Sequence, residues 1–136
     1  MMNKNYDIPE IYNNYTDLQQ EKLIELKQLI MNVANNLGDM TIQESLKWGQ
    51  LTFSSKLGTP IRIDRFSDSQ IGLFVHCQTT LVEEWRELFG DSLDFSKNRA
   101  ILLSVNSELP IEELTPCIQM ALTYHKSKGT KKLVQR

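Results

Sequence analysis

The period of the apolar positions changes repeatedly along the chain. From Thr16 onward, Leu23, Leu26, Ile30, Val33 and Leu37 recur at steps of three and four, the repeat of one helical face. Thr16 and Gln19 have the spacing of a capping box, and Gly38 follows the last apolar position, where a left-handed residue can close a helix. Ile24, Leu29 and Met31 widen the stripe, so this helix should be buried on more than one side. The period then shortens to two. Ile61 and Ile63 alternate with Arg62 and Asp64 up to Phe66, and Ile71, Leu73, Val75 and Cys77 alternate with Gly72, Phe74 and His76, which predicts two strands. Lys56 to Pro60 and Ser67 to Ser69 read as turns, and connections this short imply an antiparallel meander.

Helical spacing returns at Leu81, Trp85, Leu88 and Phe89, with Thr80 and Glu83 placed for a second capping box and Gly90 closing a short segment. Arg99 to Val105 has strand character again, and Ile118, Ala121 and Leu122 mark a last helix running toward Gly129. Proline inside a helix removes a hydrogen bond, so Pro116 predicts a separate first turn at 111–114, with Thr115 capping the main helix. Together these elements predict an α+β domain over residues 16–129. Its antiparallel sheet of about five strands is packed on one face by the N-terminal and C-terminal helices, with a short helix inserted between strands. Residues 1–15, with Tyr6, Ile8, Ile11 and Tyr12, read as a loosely ordered arm that can dock on the domain or on a second copy, giving a homodimer. Residues 130–136 read as a mobile basic tail.

Glu44 to Ser55 is the stretch that combines large aromatics, a glycine and a charged pair. Leu46, Trp48 and Phe53 beside Gly49 form a core anchor on one reading. On the other, Glu44, Lys47, Trp48 and Phe53 line a ligand groove, because the indole N–H needs an acceptor and a lysine can lie over the ring. The Glu44-x-x-Lys47-Trp48-Gly49 run, followed by Thr52-Phe53-Ser54 and then by strand, helix, strand and helix, resembles the YdhG-like family, domain of unknown function 1801. The resemblance spans about residues 17 to 127; Leu51 stands where that family usually has proline. It implies the same α+β arrangement, a fold likened to frataxin's, and a proposed iron-delivery role.

At 136 residues the chain has the length of one domain, and a formal charge of −2 argues against nucleic-acid and membrane-surface partners. Two cysteines make no disulfide framework, no signal peptide is recognisable, and no apolar run approaches the roughly 20 residues that span a bilayer, so a cytoplasmic location is expected.

Candidate chemistry is sparse. His76, Cys77, Cys117 and His125 lack the short spacings of a zinc site, and Cys77 reads as a core residue beside a half-exposed His76. The six glycines do not cluster into a phosphate cradle. Glu83, Glu84 and Glu87, with Asp91 beyond, lie within two turns of one helix and suit a weakly held hard cation, although acidic residues at a helix N-terminus are also expected for capping and dipole reasons. The expectation is therefore a non-enzymatic module without a resident cofactor, holding a small ligand or partner peptide near Trp48. The alternative is iron delivery through residues 83–91.

Overall fold

The computed structural model describes residues 13–38, 41–47 and 49–125. Trp48, the tail and nearly all of the N-terminal arm lie outside the described residues. Helix α1 (Asp17–Asn36) is followed by strands β1 (Gln43–Lys47), β2 (Gln50–Ser54), β3 (Ile61–Ser67) and β4 (Gln70–Phe74). Helix α2 (Leu81–Phe89), strands β5 (Asp94–Ser96) and β6 (Ala100–Ser104) and helix α3 (Ile111–Leu122) complete the order. The six strands make one antiparallel sheet in the order β1-β2-β3-β4-β6-β5.

The capping box at Thr16 is present in both halves, and the Gln19 side-chain amide N–H donates to the Ser67 carbonyl at 2.7 Å. One buried glutamine thus starts α1 and ties it to the end of β3. Tyr15, the last residue of the expected loose arm, is pinned just beyond it: its hydroxyl donates to Asp64, and the Arg65 guanidinium lies over its ring at 4.2 Å.

α1 lies across β3 and β4 and packs against α3, which also touches α2. Leu23, Leu26 and Ile30 of α1 meet Ile61, Ile63, Ile71, Leu73 and Ile101 of the sheet in one core, all of them fully buried. The register explains which strand residues face it. Leu51 stands opposite Ile63, Ile63 opposite Leu73 and Leu73 opposite Ile101, and directly opposed residues share a face.

Five local expectations are corrected. β4 ends at Phe74, so Cys77 lies beyond the strand and is exposed, not buried. The alternation of apolar residues outruns the backbone pairing there. Thr80 precedes α2, but its hydroxyl donates to the Glu84 carboxylate at 2.6 Å instead of forming a capping box with Glu83. The buried arc of α2 runs through Leu81, Val82 and Trp85, which leaves Leu88 beyond its edge and 60 % exposed. Gly90 ends the helix at φ −58°, without a left-handed residue.

Finally, α3 is continuous through Pro116. Proline at this position deprives only the Glu112 carbonyl of its helical partner. The stripe Leu114, Cys117, Ile118, Ala121 and Leu122 keeps helical spacing on both sides of Pro116 and is wholly buried, a face that a break would divide.

Candidate functional site

β1 and β2 form a hairpin connected through residues 48 and 49, with Gly49 at φ +75°, a conformation glycine adopts without strain. Glu44 stands directly opposite Phe53 in this hairpin, and Lys47 opposite Gln50. Phe53 has no accessible surface and belongs to the core, so it lines no groove. Glu44 is exposed and reaches α1, where its carboxylate pairs with the Lys27 ammonium at 3.2 Å. Lys47 is exposed at the closed end of the hairpin.

A concavity forms at the opposite, open end. Four residues of strand separate the two ends, about 13 Å at the usual rise. The cleft has a volume of about 800 Å³. Leu37 at the end of α1, Thr41, the opposed pair Gln43 and Ser54, and the loop residues Ser55, Lys56 and Leu57 line it. Leu37 and Leu57 supply apolar wall, Thr41 and Ser54 hydroxyls, Gln43 an amide and Lys56 an ammonium. Ser55 donates its hydroxyl to the Leu122 carbonyl at 3.0 Å, which fixes the loop to the end of α3. The described lining residues include no carboxylate, imidazole or thiol. Such a site suits hydrogen bonding and charge pairing with a ligand that is apolar on one side.

Sequence reasoning missed this cleft because Lys56 to Pro60 reads as a turn by composition. The cue lay beside it, in the hydroxyl-rich run Thr52-Phe53-Ser54-Ser55 ending on a lysine.

The acidic helix does not converge. Glu83, Glu87 and Asp91 are exposed, while Glu84 is half-buried against Thr80. Among the described residues, no three His, Cys, Asp or Glu side chains come together in a set that could hold a metal ion. The donor set therefore does not fit a bound iron. His76 is exposed and accepts a hydrogen bond from the Gln78 backbone N–H at 3.1 Å. Cys117 is fully buried, and burial, with the Glu113 carboxylate adding to it, pushes its thiol up to about 12.

An open six-stranded antiparallel sheet carrying two helices side by side, with a third inserted before its last two strands, defines the fold class. The crystal structure of YdhG from Bacillus subtilis, a protein of the DUF1801 family, has a similar fold: the TM-score is 0.62 over 81 % of this chain and 82 % of that one, at 16 % identity. It is the family that the Glu-x-x-Lys-Trp-Gly run resembles. No model of a known family matches the chain, and no curated protein does. Among the described residues no helix is long and apolar enough to cross a membrane.

Proposed function

We propose that the chain is a non-enzymatic binding module whose ligand lies in the cleft at the open end of the first hairpin. The observation that carries this reading is the cleft itself, about 800 Å³ with two leucines facing hydroxyls, an amide and one ammonium. Sites for small molecules occupy roughly 300–1,000 Å³ and combine apolar wall with a few polar groups. Lys56 favours a ligand with a carboxylate or phosphate, its apolar part resting on Leu37 and Leu57. This reading sets the ligand at the Gln43 end of the hairpin; the expectation near Trp48 falls on a residue outside the described ones.

Thermal-shift screening against small carboxylates and phosphates, followed by amide NMR, tests it. A ligand at a hundred times its Kd stabilises by about 2.7 kcal/mol. Hits should perturb residues 41–43 and 54–57 and be lost in a folded Ser54→Trp variant, which fills the cleft. Shifts that cluster elsewhere, or binding that survives Ser54→Trp, would sink the reading.

A further inference from the structure

β1 forms one edge of the sheet, and all five of its residues are exposed. The opposite edge is β5, only three residues long. The β1 register runs unbroken from Gln43 opposite Ser54 to Lys47 opposite Gln50, so no bulge or proline blunts it, and its protection against pairing rests on the two charges Glu44 and Lys47. The pair flanking a two-residue hairpin connection is hydrogen-bonded, and antiparallel ladders alternate. Gln43, Ser45 and Lys47 therefore bond to β2, while the N–H and C=O groups of Glu44 and Leu46 point to the outer edge, which has no partner strand among the described residues.

We propose that this edge pairs antiparallel with the same strand of a second copy, about a two-fold axis at Ser45. Glu44 then lies opposite Leu46 of the second copy, Ser45 opposite Ser45, and Gln43 opposite Lys47. About four N–H···O=C bonds form between the Glu44 and Leu46 pairs, and no like charges are directly opposed. A slip of two residues in one direction would set Glu44 against Glu44, which disfavours it.

Both helical layers stay on the same side of one continuous sheet. If the cleft holds the ligand as proposed above, the pairing also completes that site: Gln43 lines the cleft, so Lys47 of the second copy stands at its mouth and adds an ammonium to that of Lys56. A single strand pair buries less than the roughly 1,200 Å² of a standard interface, so the dimer is a weak one. Ligand titration at micromolar protein, where the chain is monomeric, tests the cleft separately from the dimer.

Sedimentation equilibrium of the full chain, up to about 1 mM, should show the mass climbing toward twice that of the monomer. Leu46→Pro removes an amide aimed at the free edge and none used against β2. It should stay folded by circular dichroism and remain monomeric. In a Cys77→Ser background, Ser45→Cys should form an intermolecular disulfide on mild oxidation and Gln43→Cys should not. A mass that stays monomeric overturns the proposal, as does a dimer that persists in folded Leu46→Pro. If Leu46→Pro unfolds, failure of Ser45→Cys to cross-link overturns it.

Discussion

Burial holds the Cys117 thiol protonated up to about 12, against an ordinary 9.0, and the Glu113 carboxylate adds to the push. In the unfolded chain the thiol ionises from about 9, so between the two values the unfolded state has released a proton that the folded state keeps. Stability should be unaffected by this group below pH 9 and fall by about 1.4 kcal/mol per pH unit above it, until the folded thiol itself ionises. Urea unfolding from pH 8 to 11 reads the effect as the difference between the wild type and Cys117→Ala, since other groups titrate in the same range. Exposed Cys77 should react with a thiol reagent in the native protein, whereas Cys117 should react only after unfolding. Trp85 presents another cost of burial: it is fully enclosed, and its indole N–H has no acceptor among the described residues. An orphaned buried donor costs about 1–3 kcal/mol. Trp85→Phe removes that donor while leaving a small cavity, so the two effects oppose. The change in unfolding free energy should be well below the 3–5 kcal/mol typical of truncation to alanine.

Among the connecting elements, two glycines separate conformational need from close approach. Gly38 has φ +98° and nothing among the described residues within 4 Å of the position a Cβ would take. Gly58 shows no positive φ, but a Cβ there would lie 2.4 Å from the Leu122 carbonyl oxygen. Gly38→Ala should cost about 1 kcal/mol through backbone strain alone. Gly58→Ala should cost more, because the obstacle is backbone that can yield only if the loop and α3 separate. Chemical denaturation of both variants checks the order, and a smaller loss for Gly58→Ala would contradict it. The contrast also marks what the sequence discloses. Gly38 was legible because it follows a periodic helix, and Thr16 with Gln19 because a capping box is a local pattern. Gly58 was unreadable as a contact because its neighbours come from α3, far along the chain. β1 escaped detection as a strand because Gln43 to Lys47 has no buried face to impose an alternation, and β5 because three residues carry no period. Phe53 was misjudged for the opposite reason: an aromatic next to a charged stretch gives no sign of which face it takes until the strand register is known.

At the scale of the whole molecule, the loop of residues 55–59 joins the candidate cleft to the packing of α3. The Ser55 hydroxyl donates to Leu122 O at 3.0 Å, the Thr59 amide to Ala121 O at 3.0 Å, and the His125 amide to Leu57 O at 2.8 Å. Ser54, Ser55, Lys56 and Leu57 also line the cleft, so the segment that would touch a ligand is the one that secures the end of the last helix. A ligand that stabilises this loop must stabilise those three bonds with it, because opening any of them displaces cleft wall. Hydrogen exchange at the Thr59 and His125 amides should therefore slow when a ligand occupies the cleft, while exchange at the opposite end of the sheet, around Ser67 and Gln70, stays unchanged. Ser55→Ala tests the link from the other side. It deletes one bond to the C-terminal end of α3 at a cost of about 1 kcal/mol, and should speed exchange at His125 and weaken ligand binding together. Loss of protection at His125 with binding unaltered would show that the helix end and the cleft are independent.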